Sequence, residues 1–163
     1  MLCSAYFAGG CFWCITPVFY ELPGVRNVIS GYSGGEEIDP TYEQVKHQQT
    51  HHRETICIEY NEKLVSFQKL LDVFLTNVDP FDDGGQFIDR GFSYTLAVYY
   101  TSAEEKALTE AALSALGEKT GVSVEPFNTF YDAESYHQNY FRTHPEEFAR
   151  ELEESGRNAW KRG

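Results

Sequence analysis

Positive charge is scarce in this chain. Lys and Arg number 13 against 25 Asp and Glu, a formal balance of −12 over 163 residues. A field of that sign repels phosphate backbones and anionic lipid headgroups, which argues against nucleic-acid binding and against attachment to a membrane surface. Long apolar runs are missing as well. None approaches the length of a membrane-spanning helix, and no basic-then-apolar leader precedes the first predicted strand. Cysteine is sparse: Cys3, Cys11, Cys14 and Cys57 are too few and too unevenly spaced for a disulfide scaffold, and they suit a reducing cytoplasm. No repeat, low-complexity tract or Pro/Ser-rich linker divides the chain, so one domain over residues 1–163 is expected, long enough to bury a core. Nor is there a nucleotide-binding glycine pattern, and no organic cofactor is expected.

Aromatics are plentiful instead, with 11 Tyr, 12 Phe and 2 Trp making 15% of the chain. Many belong to a core, but a surplus of tyrosine also suits a pocket with apolar walls and hydroxyl tips. The most informative run is Gly9-Gly10-Cys11-Phe12-Trp13-Cys14. It follows the apolar stretch Leu2 to Ala8 and leads into Phe12, Ile15, Phe19 and Leu22, which recur at helical period. Cys11 is therefore placed where a strand ends and a helix begins. Unsatisfied N–H groups and the positive dipole end of a helix favour a thiolate there, so a lowered thiol pKa is expected. A nucleophile, an aromatic collar and a second thiol packed into so short a run point to thiol chemistry on an apolar group.

Hydrophobic pattern predicts strands over 2–8, 25–32, 53–60, 92–100 and 121–127. It predicts helices over 11–22, 66–76 and 102–116, a helical turn over 41–45 and a polar helix over 145–155. Phe67, Leu70, Leu71, Phe74 and Leu75 share one helical face, and Ser102 with Glu105 forms a capping-box pattern. Up to residue 100 the order is β-α-β-β-α-β. That is an α/β (α+β) chain of the ferredoxin-like, split β-α-β kind: a two-layer sandwich of a mainly antiparallel sheet with helices on one face, extended by a C-terminal strand, helices and coil. Loops over 33–52 and 77–91 exceed the usual connection length and are expected to build the site.

Several spaced segments carry a resemblance. Gly9 to Trp13 resembles the active-site signature of the A-type peptide methionine sulfoxide reductases. Gly31-Tyr32-Ser33-Gly34-Gly35, Pro40-Thr41-Tyr42-Glu43-Gln44-Val45 and Thr50-His51-His52-Arg53-Glu54 are similar to further segments of that family, in the same order. So are Gly85-Gln86-Phe87-Ile88-Asp89-Arg90-Gly91-Phe92-Ser93-Tyr94 and Phe130-Tyr131-Asp132-Ala133-Glu134-Ser135-Tyr136-His137-Gln138. The resemblance implies that Cys11 attacks the sulfur of methionine S-sulfoxide and that Glu54, kept protonated by apolar surroundings, is the general acid. It implies that Tyr42 and Tyr94 hold the sulfoxide oxygen and that Phe12 and Trp13 enclose the methyl group. Asp89 is implied to position water or substrate backbone, His52 to orient the acid beside the substrate, and Tyr136 to border the substrate, with His137 next to it. A thioredoxin-like dithiol is the implied electron donor.

Departures from the family pattern are also readable. Cys14 stands where glycine is usual, and the tail from His144 holds none of the recycling cysteines many members carry. Attack leaves Cys11 as a sulfenic acid that a second thiol must condense with. Residues three apart in a helical first turn lie about 5–6 Å apart at Cα, within disulfide reach, so Cys14 is the expected resolving thiol. Thr16, His51 and Thr95 replace a usual glutamate, glycine and arginine. Cys3 and Cys57 are expected to be packing residues. Two other function classes use the same residues. One is a general dithiol oxidoreductase working through Cys11 and Cys14. The other is a zinc-binding module built from those cysteines and two of His51, His52 and His137.

Overall fold

Period-two alternation in the first three strands builds the sheet. β1 (Leu2–Gly9) buries Ala5 and Phe7, β2 (Val25–Ser33) buries Val28 and Tyr32, and β3 (Arg53–Asn61) buries Ile56, Ile58 and Tyr60 in one shared core. Onto that core α1 (Phe12–Tyr20) brings Phe12, Ile15 and Phe19, and α3 (Phe67–Thr76) brings Phe67, Leu70, Leu71 and Phe74. Phe7 sits at the centre, its ring 4.9 Å from Phe74 and 6.0 Å from Phe19. Side chains of this kind each contribute roughly 1.5–3 kcal/mol when fully buried, so this layer carries most of the fold's driving force.

The computed structural model describes residues 2–117, 119–138 and 140–155; Met1 and residues 156–163 of the expected domain lie outside the described residues. A short hairpin of β4 (Gly85–Gln86) and β5 (Asp89–Arg90) precedes β6 (Leu96–Tyr100), and β7 (Val122–Pro126) and β8 (Phe130–Asp132) follow. The main sheet runs β7-β6-β1-β3-β2-β8. Its inner ladders are antiparallel, and β6 with β7 is parallel. The β6-β1-β3-β2 order is the expected split β-α-β arrangement, with β7 and β8 extending its two edges. The remaining helices are α2 (Tyr42–Lys46), α4 (Ala103–Ser114), α5 (Tyr140–Thr143) and α6 (Pro145–Ser155). Among the described residues, no helix is long and apolar enough to cross a membrane.

Differences from the sequence reading fall around the site. The strand expected over 92–100 begins only at Leu96, because Gly91 has φ +118° and Phe92–Tyr94 coils into a 3₁₀ turn. The Thr95 hydroxyl closes that turn by donating 2.6 Å to the Phe92 carbonyl. β4, β5 and β8 escaped notice because two or three residues show no periodicity. Gly9 sets where α1 starts: a Cβ there would lie 2.8 Å from Ile15 Cδ1 and 3.0 Å from Phe74 Cε1. Only glycine lets the end of β1 approach both helices so closely.

Candidate active site

Cys11 caps the N-terminus of α1, without a side-chain cap bond of its own. The first N–H of the helix, that of Phe12, donates 3.2 Å to Glu54 Oε1. Glu54 extends the helix-facing row of β3 by one pleat beyond Ile56 and lies opposite Tyr32 in the β2–β3 register. Its side chain is buried at 1% exposure, and Oε2 has no hydrogen-bond partner among the described residues. Burial pushes the Glu54 carboxyl up to about 8; the Phe12 N–H works against this, while the Asp89 charge and the nearby Cys14 add to it. At neutral pH the group is a neutral carboxylic acid with one oxygen tethered and the other free to donate. That is the state a general acid needs.

The thiol behaves differently from the expectation for a helix N-terminus. Cys11 lies well above the ordinary thiol range, first because it shares a hydrogen bond with Cys14, then through burial and the nearby carboxylates Glu54 and Asp89. The Phe12 N–H that would have stabilised a thiolate is taken by Glu54. In the resting site Cys11 is a thiol. Cys14 is buried and unbridged, one turn in, and borders a cleft with Pro17, Val18, Glu21, Asn77, Phe148 and Leu152. Its backbone N–H donates 3.1 Å to the Cys11 carbonyl. Pro17 inside α1 has no N–H to give the Trp13 carbonyl, so the first turn is under-bonded next to the two thiols.

Tyr42 reaches the site from α2, and Asp89 and Tyr94 from one continuous stretch, β5 and the 3₁₀ turn after it. Tyr94 ends the 3₁₀ turn with its ring buried; burial first, then the charge of Glu54, pushes its phenol up, so it remains an O–H donor. Tyr42 and Cys11 are among the groups that act on Tyr94 electrostatically, which places all of them in one cluster. Tyr42 opens α2, whose Thr41 forms a full capping box with Gln44. Asp89 belongs to the β4–β5 hairpin. That hairpin is tied down by Gln86, which is fully buried. Its Oε1 accepts from the Asp79 N–H at 2.8 Å, and its Nε2 donates 3.0 Å to the Asp79 carbonyl.

Trp13 forms the aromatic wall. Its indole N–H donates 3.1 Å to His137 Nδ1, and its ring stacks 4.0 Å from Tyr140 at 14°. Phe12, at 1% exposure, packs among Tyr32, Tyr42 and His137 and backs the site, which leaves Trp13 as the aromatic surface open to a ligand. Burial lowers His137 to about 4, so the ring is neutral and carries its proton on Nε2, which has no partner among the described residues.

Residues 3–162 match the family described as peptide methionine sulfoxide reductase. The chain belongs to that family. Peptide methionine sulfoxide reductase MsrA of Halalkalibacterium halodurans is 44% identical over 161 residues, covering 94% of this chain and 91% of the relative. The enzyme of the same name from Bacillus subtilis is 42% identical over 160 residues, covering 94% and 90%. In three dimensions the chain is similar to Mxr1 from Saccharomyces cerevisiae in its reduced form, with a TM-score of 0.82, 27% identity, and coverage of 89% and 87%.

For this reductase fold, some expected roles change. His52 does not reach Glu54. Its Nε2 donates 2.8 Å to the Glu37 carbonyl and its Nδ1 accepts from the Gly35 N–H at 3.2 Å, so the buried ring braces the 35–37 loop. Lying just before β3, it has both ring nitrogens committed. Tyr136 is more than half exposed, its ring tilted at 37° and 3.9 Å from His137, which puts it on the rim, outside the collar. His51 pairs with Glu37 at 2.7 Å in solvent. A zinc set of these histidines with Cys11 and Cys14 is not assembled, and among the described residues no cluster of three or more His, Cys, Asp or Glu side chains could hold a metal.

Tyr32 and Glu134, both inside motif segments, also carry the site. The Tyr32 hydroxyl donates 2.8 Å to Glu134 Oε1, and the Tyr42 N–H donates 3.0 Å to Glu134 Oε2. Burial works to raise Glu134, but these bonds and its own N–H outweigh it and hold the carboxylate below its usual range. Tyr32 and Glu134 both lie inside segments that resemble the family, which was the available signal.

Proposed function

We propose that the family's reaction, thiol-dependent reduction of methionine sulfoxide, runs in this chain on Cys11 and Glu54, for the S epimer, free or within proteins. The observation that carries the assignment is the bond from the Phe12 N–H to a buried, neutral Glu54, which holds acid and nucleophile on one turn. Cys11 sulfur attacks the sulfoxide sulfur as Glu54 gives its proton to the oxygen, and the carboxylate regains a proton from the Cys11 thiol; the hydroxyl then passes to the Cys11 sulfur as the substrate S–O bond and the transient S–S link break. Sulfoxide sulfur is reduced by two electrons to the sulfide, and Cys11 is oxidised by two to its sulfenic acid. Tyr42 and Tyr94 donate to the oxygen, Trp13 backed by Phe12 packs the methyl group, and Asp89 orients water or substrate backbone. Cys14 then attacks Cys11; the S–S bond forms, and the sulfenic oxygen leaves as water.

A thioredoxin-like dithiol would reduce that disulfide. Support comes from Mxr1, which has also been solved in complex with Trx2. Such a donor, together with four cysteines that form no disulfide, suits the cytoplasm. The test is to mix reduced protein with equimolar methionine S-sulfoxide in the absence of reductant and to take an intact mass. Loss of two hydrogens, mapped to Cys11 and Cys14, is expected. Gain of one oxygen would remove Cys14 from its role, and an unchanged mass would overturn the reading.

A further inference from the structure

Tyr42 and Tyr94 come from elements far apart in sequence, yet one reaction oxygen requires both hydroxyls in register. The link between those elements is Gln48. It leaves α2 with its N–H donating 3.1 Å to the Val45 carbonyl and with φ +61°, a left-handed conformation that a glutamine adopts at a cost. The turn this creates aims its side chain at Ser93, the buried neighbour of Tyr94. Gln48 Oε1 accepts from the Ser93 N–H at 3.0 Å, and Gln48 Nε2 donates 2.8 Å to Ser93 Oγ. The same Nε2 also donates 3.1 Å to the Lys46 carbonyl, so the amide is held from its own side too. Gly91 makes room for it, since a Cβ at that position would lie 2.8 Å from Nε2.

We propose that Gln48 is a positioning residue that yokes the Tyr42 helix to the Tyr94 turn and sets the spacing of the two hydroxyls on the sulfoxide oxygen. The proposal rests on the roles assigned above to Tyr42 and Tyr94. The backbone at this position is strained while the side chain spans two loops, and these two facts belong together: the conformation is retained because it delivers the amide to Ser93. The other end of α2 is fastened independently, by the Tyr42 N–H on Glu134. A five-residue helix held at both ends has little freedom to move Tyr42 relative to Tyr94.

Gln48→Gly separates strain from bridging, because glycine accepts the positive φ while deleting the amide. Steady-state reduction of free methionine S-sulfoxide and thermal unfolding are measured for the wild type, Q48G, Tyr94→Phe and the double variant. Q48G is expected to stay folded, relief of the positive φ offsetting part of the lost bonds, while kcat falls about 10- to 100-fold, with KM changing much less, as misplacement of groups that act in the transition state requires. In the Tyr94→Phe background the same substitution should cost less than about threefold, since the two act through one contact. Full kcat in Q48G, an undiminished effect in the double variant, or loss of folding in Q48G would each overturn the proposal. Full activity of Tyr94→Phe would instead overturn the assigned role of Tyr94.

Discussion

Glu54 accepts the backbone N–H of Phe12, and this single bond ties the carboxyl on β3 to the residue that follows Cys11. The two groups are thereby fixed to one helical turn although they lie on elements separated by most of the N-terminal half of the fold. Glu54 occupies a place that alternation would give to another core residue, and the free energy of burying it keeps it protonated.

Activity should therefore fall as pH rises through about 8, where Glu54 loses its proton. A pH–rate profile of kcat/KM measures this. Glu54→Gln keeps the shape and the Phe12 contact but has no proton to transfer, and should lower kcat by about 10²–10⁴-fold, the range general acid catalysis supplies.

The same group makes stability depend on pH. Its folded pKa, about 8, lies above the ordinary 4.5, so the folded chain holds a proton that the unfolded chain releases. Stability from this source is complete below the unfolded value and declines as pH rises to about 8. Urea unfolding between those limits should show the decline in the wild type, and it should be largely absent from Glu54→Gln.

His137 titrates in the opposite sense. Its folded value, about 4, lies below the ordinary 6.5, so its contribution is present above 6.5 and is lost as pH falls through about 4. Protonating Nδ1 removes the acceptor of the Trp13 N–H. In a Trp160→Phe background, Trp13 emission should shift to the red near that lower value. In His137→Phe the shift should be gone.

Cys14→Ser should complete one turnover and stop. Intact mass after a stoichiometric dose of sulfoxide is expected to show one added oxygen on Cys11, and turnover with a thioredoxin donor should be lost. An intramolecular disulfide in that variant would mean that Cys3 or Cys57 resolves Cys11.

Gly9→Ala tests how the fold positions the site. Its Cβ would press on the side chains of Ile15 and Phe74, which must repack around it, disturbing the packing under the start of α1. Overpacking of this kind costs about 1–3 kcal/mol, and the nucleophile moves with the turn. Denaturant unfolding and single-turnover rate should both decline, the rate even at temperatures where the variant is fully folded.

Much of this was legible in the residues. Alternation and helical period determined the strand and helix order of the sandwich, because burying a face against a partner layer demands those periods. The motifs offer Cys11, Glu54, Tyr42, Tyr94 and Asp89 as candidates. Short pieces were not legible: a two-residue hairpin has no period, and Gln86, Gln48 and Glu134 do their work through hydrogen bonds to partners distant in the chain.

Tertiary structure alone decided the charge states. Local reasoning placed Cys11 on a helix end and anticipated a thiolate. A side chain arriving from β3 took the Phe12 N–H, and the Cys14 thiol and two carboxylates raised the Cys11 pKa. His52, next to the acid segment in sequence, turned to a different loop. Sequence determines which groups are present and the periodicity that buries them. Whether a buried group is charged depends on every dipole and charge around it, and those come from all over the chain.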